Sequence, residues 1–132
     1  MKKILLLLTT IILVAGCNNT ETFGEKQSRC VAYKDTIKGQ IEYENSITEN
    51  PSPSHEWIFE LEEIFFSKKL NTCIYVEGHG LYDGPVNAAS DYIVKDFYNS
   101  KELKTFNIKT NREFTGKLAD FEQYITEIKE EK

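Results

Sequence analysis

Residues 4–15, ILLLLTTIILVA, carry no charge and only two polar side chains, and this run withdraws itself from any fold the rest of the chain builds. Met1-Lys2-Lys3 puts positive charge ahead of it, and Asn18-Asn19-Thr20-Glu21 ends it abruptly. A helix that crosses hydrocarbon needs about 20 apolar residues. A helix that packs on a core shows a polar side. The run is too short for the first and has no polar face for the second. A basic start followed by an apolar stretch of this length is the pattern of an export signal.

The run closes on Leu13-Val14-Ala15-Gly16-Cys17. This resembles the lipobox of bacterial lipoproteins, in which small residues precede a cysteine. The resemblance implies cleavage before Cys17, lipidation of its thiol and acylation of the new amino terminus. One acyl chain holds a protein to a bilayer only marginally, at about 0.8 kcal/mol per buried CH₂, whereas two or more hold it stably. Cys17 is therefore expected to anchor the chain to a membrane. In cells with two membranes, an Asp after the lipidated cysteine resembles an inner-membrane retention signal. The residue here is Asn18, so the periplasmic face of the outer membrane is the expected location in such a cell.

Residues 1–16 are thus a signal, residues 17–24 a lipidated cysteine with a short polar tether, and residues 25–132 one domain by length. Lys2 and Lys3 leave with the signal, so the 16 basic residues of the full chain fall to 14 against 21 acidic ones, a formal charge of −7. An acidic domain of this kind near an anionic membrane is not built for nucleic acid; it fits a soluble domain held away from the lipid, or a basic partner. With Cys17 given to lipid, Cys30 and Cys73 remain, and an even pair in an exported chain reads as one disulfide. Two buried free thiols are the alternative. No Cys-x-x-Cys occurs, which argues against a redox pair.

From about Glu25 to Asn45 the periodicity is helical, with Cys30, Tyr33, Ile37 and Ile41 in one stripe. Thr22 and Glu25 fit a capping box. Pro51 and Pro53 then break the chain. The segment 57–80 is rich in aromatic and β-branched residues and reads as a hairpin, with strands at about 59–67 and 72–78. In the second strand Cys73 and Tyr75 point to one face and Thr72, Ile74 and Val76 to the other, so both faces of the sheet have apolar groups to cover. Residues 78–90 hold Gly78, Gly80, Gly84 and Pro85 and read as a long loop. A third strand is expected at about 91–98 and a short fourth near Leu103–Ile108. Phe114, Leu118, Phe121, Ile125 and Ile128 then fall at helical spacing, with Thr110 and Glu113 as a candidate cap and Gly116 delaying the start. The expected fold is α+β: an N-terminal helix, a three- to four-stranded antiparallel meander and a C-terminal amphipathic helix. The helices cover the sheet either one on each face or both on one.

The stretches EIFFSKKLNTCIYV and YIVKDFYNSKEL are similar to a pattern recurring in small uncharacterised bacterial proteins. That resemblance covers about a third of the mature chain. It implies a shared fold unit and a structural role for Cys73, and no activity.

Few residues here carry a recognisable chemistry. His79 lies between Glu77 and Asp83, but a metal site wants several ligands at defined spacing, and the only other histidine is His55. No metal or other cofactor is expected, and His79 reads as an exposed loop residue. Ser54-His55-Glu56 contains the three residue types of a hydrolase triad, yet triads assemble in space rather than as neighbours, and no Gly-x-Ser-x-Gly elbow is present. Glu62 and Glu63 with Asp96 would give carboxylates, but adjacent strand residues point to opposite faces. The aromatic side chains are the richer signal, because Tyr and Trp concentrate at binding hot spots. Trp57, Tyr82, Tyr92 and Tyr98 are the candidate surface anchors, against the alternative that they fill the core.

The leading expectation is a non-enzymatic envelope lipoprotein whose domain binds another macromolecule, a protein above all, as an inhibitor, an immunity or exclusion factor, or an assembly accessory. A small envelope enzyme acting on cell wall or lipid is the second reading, and a structural lipoprotein without a specific partner the third.

Overall fold

The computed structural model describes residues 21–49, 54–110 and 113–130; Cys17, Pro51 and Pro53 lie outside them. Two helices, α1 (Phe23–Ala32) and α2 (Lys34–Ile47), precede four long strands, β1 (His55–Ser67), β2 (Thr72–Asp83), β3 (Val86–Asp96) and β4 (Glu102–Thr110). A two-residue β5 (Glu113–Phe114) and helix α3 (Leu118–Lys129) complete the order. The sheet is a meander, β1-β2-β3-β4-β5, and each neighbouring pair is antiparallel. The fold is α+β, with one more strand than the sequence pattern gave.

The capping box forms as the residues dictate. Thr22 Oγ1 accepts from the Glu25 N–H, and the Glu25 carboxylate accepts from the Thr22 N–H at 2.7 Å. Helical structure therefore starts at Phe23, inside the stretch expected to be tether. The helical run is interrupted at Tyr33, whose ring stacks on Phe97 at 4.2 Å, while Gly39 sits within α2. The stripe Cys30, Ile37 and Ile41 is buried against the sheet. Cys30 is bonded to Cys73 across a separation of 43 residues, which pins α1 to the start of β2.

The alternation of β2 settles the layering. Cys73 and Tyr75 pack under α1 and α2 with Phe66, Ile64 and Phe59. Ile74 and Val76 face the other way and join Phe65, Val94, Phe106, Ile108, Ile125 and Ile128 under α3. The sheet is thus covered by one helical layer on each face. Of the C-terminal stripe, Phe121, Ile125 and Ile128 pack on the sheet, whereas Phe114 belongs to β5 and is 74% exposed.

Three local expectations are corrected. Residues 78–90 are not a loop: β2 and β3 run through them and turn only at Gly84-Pro85, where Gly84 has φ +58°. Thr110 and Glu113 do not cap α3; they pair with each other as β4 and β5. Glu62 and Glu63 do not diverge. A β-bulge lies between Leu61 and Glu63, the extra residue shifts the alternation, and both carboxylates leave on the α3 side. Glu63 meets Lys129 at 2.5 Å, and Glu62 lies over Gly78.

Candidate functional site

The strand register on the α2 side sets chemical groups in rows across the sheet. Phe59, His79 and Asp91 are cross-strand partners, as are Leu61, Glu77 and Ile93, and Asp91 in turn pairs with Asn107 on β4. One row brings an aromatic ring, an imidazole, a carboxylate and a carboxamide side by side. The Phe59 and His79 rings are 4.4 Å apart, and Asn107 Nδ2 donates to Asp91 Oδ1 at 2.8 Å. His79 is accordingly a strand residue, half-buried, rather than an exposed loop residue.

Beneath this row lies a buried ion cluster. Glu77 is 1% exposed. Its Oε2 takes a hydrogen bond from Lys95 Nζ, and its Oε1 lies 3.1 Å from His79 Nε2. That last contact is close enough for an ion pair, and both atoms are buried with no hydrogen-bond partner among the described residues. Burial raises the Glu77 pKa, but the polar contacts and charges of His79 and Lys95 outweigh it and hold the carboxyl below its ordinary value. Burial likewise lowers the Lys95 pKa, and the bond to Glu77 reverses this to a net rise. Tyr75, next along the same face, is shifted upward mainly by burial.

The row opens at the C-terminal end of α2 into a recess of about 280 Å³ lined by Thr48, Glu49, Trp57, Phe59, His79 and Asp91. Two aromatic rings form its apolar wall and two carboxylates and an imidazole its polar one. A basic side chain flanked by aromatic faces and carboxylates is what such a lining receives well. Among the described residues no group of three or more His, Cys, Asp or Glu is placed to hold a metal ion.

The four candidate aromatics separate. Trp57 lines the recess. Tyr82 lies on the opposite face, its ring folded over Gly80 in a shallow polar dip with Glu60, Glu62 and Asn87. Tyr92 packs on Phe121 at 4.6 Å and lies, partly buried, against the α3-side core. Tyr98 is 55% exposed at the other end of the sheet, with its hydroxyl 3.6 Å from Cys73 Sγ. The sequence reading missed Phe59, Asp91 and Lys95. Only the alternation in β2, carried past Gly78 and Gly80, would have put Tyr75, Glu77 and His79 on one face.

Residues 1–18 match the family model described as prokaryotic membrane lipoprotein lipid attachment site. The chain is a membrane-anchored bacterial lipoprotein, and Cys17 lies within the matched residues. No curated protein and no solved structure matches the chain.

Proposed function

We propose that the domain is a non-enzymatic binding module that docks a polypeptide partner of the cell envelope, taking a basic side chain of that partner into the recess formed by Trp57, Phe59, His79 and Asp91. The observation that carries this is the recess itself, with aromatic walls and the carboxylates of Glu49 and Asp91 at its rim. The formal charge of −7 on the mature chain favours the same partner chemistry. The roles that fit are those of an inhibitor, an immunity or exclusion factor, or an assembly accessory. In a cell with two membranes, Asn18 after the lipidated cysteine favours the periplasmic face of the outer membrane.

A small enzyme acting on cell wall or lipid draws on the cluster of Glu77, His79 and Lys95. Glu77 is committed to Lys95 and shielded from substrate, which favours binding over catalysis. In-cell crosslinking of the tagged lipoprotein, purification and mass spectrometry test the proposal against a control carrying only the Cys17 tether. One reproducible protein partner, lost in W57A and weakened in D91N, is the expected result. Recovery of sugar or lipid fragments alone, or a partner indifferent to both substitutions, overturns it.

A further inference from the structure

The binding proposal concerns one end of the sheet; the other end carries an independent feature. Thr22, the cap of α1, follows the lipid-bearing Cys17 by five residues, a span of at most about 17 Å when fully extended. Strand β1 alone, at 13 residues, is more than twice that length at about 3.3 Å per residue. The tether therefore keeps one particular end of the domain near the bilayer, the end where α1 begins.

That end is built from the first turn of α1 and the β1–β2 turn. Phe23 lies edge-on to Phe66 at 6.2 Å, and Lys26 Nζ donates to Asn71 Oδ1 at 2.9 Å across the gap. Lys68 Nζ sits 4.6 Å from the centre of the Phe23 ring. Together Phe23, Lys26, Phe66, Lys68 and Asn71 line a recess of about 200 Å³. Two large apolar side chains are left in the open here, Phe23 at 46% and Leu70 at 42% exposure, and Lys68 and Lys69 are exposed beside them. The chain is acidic overall; at this helix start Glu21 is paired with Arg29 at 2.6 Å, while Glu25, bonded to the uncharged Thr22 cap, keeps its negative charge beside Lys26 in sequence. Glu130, at the close of α3, is a second opposing charge nearby, since the carbonyl of Ile128 accepts from Ser67 Oγ.

Exposed aromatic and aliphatic groups ringed by lysines are what an anionic lipid surface binds, the apolar groups entering the headgroup layer and the cations meeting phosphate. We infer that the first turn of α1 and the β1–β2 turn rest on anionic phospholipid headgroups of the membrane holding the acyl anchor, and that this second contact stands the domain upright with Trp57 and the recess of Asp91 turned away. This goes beyond the docking reading and fails separately from it, because vesicles contain no partner protein.

The test uses the lipidated chain in vesicles of phosphatidylcholine with or without phosphatidylglycerol, with brominated acyl chains as quencher. In the W57F/L70W chain the emission is expected to be quenched on phosphatidylglycerol vesicles and to lose about half of that quenching or more when K68E and K69E are added. In the unmodified chain Trp57 is expected to stay unquenched. Equal quenching of the two reporters, or quenching indifferent to both phosphatidylglycerol and charge reversal, overturns the inference. Hydrogen exchange on the unmodified chain reads the same contact without substitutions: residues 67–72 are expected to gain protection on phosphatidylglycerol vesicles relative to detergent micelles, and unchanged exchange there overturns it too.

Discussion

The carboxamide of Asn45 pairs with the backbone of Phe59 in both directions. Its Oδ1 accepts from the Phe59 N–H at 2.8 Å, and its Nδ2 donates to the Phe59 carbonyl at 2.8 Å. This is the exchange that a neighbouring strand would make, supplied by a helix. Gln27 does part of the same at Phe66, whose N–H it accepts at 2.8 Å. Strand β1 ends the sheet, and an edge strand is a template for unwanted pairing unless something occupies it. Here side chains of α1 and α2 occupy it at two points.

Replacing Asn45 by alanine strips both bonds from a half-buried backbone site. The expected loss is about 1–3 kcal/mol, read from the urea midpoint. Asn45→Asp is expected to be the worse variant near neutral pH, since it keeps the acceptor but sets a carboxylate against the Phe59 carbonyl. Equal stability of all three chains would remove the surrogate-strand role.

The pair of Glu77 and Lys95 gives the stability a defined pH window. The Glu77 carboxyl is held below its ordinary 4.5 in the folded state, so its contribution is present above that pH and is lost as pH falls through the folded value. The Lys95 ammonium is held above its ordinary 10.5, so its contribution is present below that pH and is lost as pH rises through the folded value. Glu77→Gln is expected to flatten the acid limb of stability against pH, measured by thermal melts in a buffer series. Lys95→Met leaves a buried carboxylate beside His79 alone and is expected to cost about 3 kcal/mol. An acid limb unchanged in Glu77→Gln would assign acid unfolding to other groups.

The bond between Cys30 and Cys73 closes a loop of 43 residues, and the chain-entropy model assigns such a loop about 4 kcal/mol. For a domain of this size that is a large share of the total. A Cys30→Ser/Cys73→Ser chain, or the native chain under reductant, is expected to show a urea midpoint lowered accordingly. If alkylation of the unfolded, unreduced chain labels both thiols, the bond is absent.

Cys17→Ser is expected to abolish lipid attachment and release the domain from the membrane fraction, and globomycin is expected to leave the unprocessed chain visible by intact mass. A membrane-held, lipid-bearing product from Cys17→Ser would place the anchor elsewhere.

The helices, and the apolar groups on both faces of the sheet, were legible because each rests on local chemistry, whereas the sequence leaves open which face each helix covers. Thr22 and Glu25 are three residues apart, as a capping box needs. Cys30, Ile37 and Ile41 share a face, and Cys73 and Ile74 alternate. What stayed hidden was what a glycine was for. Gly78 and Gly80 look like turn residues, and on that pattern the strand ends at 78. In the fold they are strand positions where a Cβ would meet Glu62 Oε1 at 2.5 Å and the Tyr82 ring at 2.7 Å. That use depends on side chains brought in by the fold, which no local window contains. The same error hid the candidate site, because His79 acquires Phe59 and Asp91 only when β2 continues between β1 and β3. Thr110 and Glu113 show a related ambiguity: their spacing suits a cap, and a tight strand connection used them instead.

The bulge at Glu62 divides β1 into two phases. Before it, the odd-numbered Trp57, Phe59 and Leu61 look toward α2; after it, the even-numbered Ile64 and Phe66 do. Removing Glu62 would restore a regular ladder, with Leu61 still opposite Glu77 and Glu63 still opposite Val76. Removing a residue elsewhere in the strand would turn a stretch of it inside out. Residue 62 is therefore the place where this strand can gain or lose a residue without reassigning its faces, and a descendant of the chain with a shorter β1 would be expected to carry its gap there.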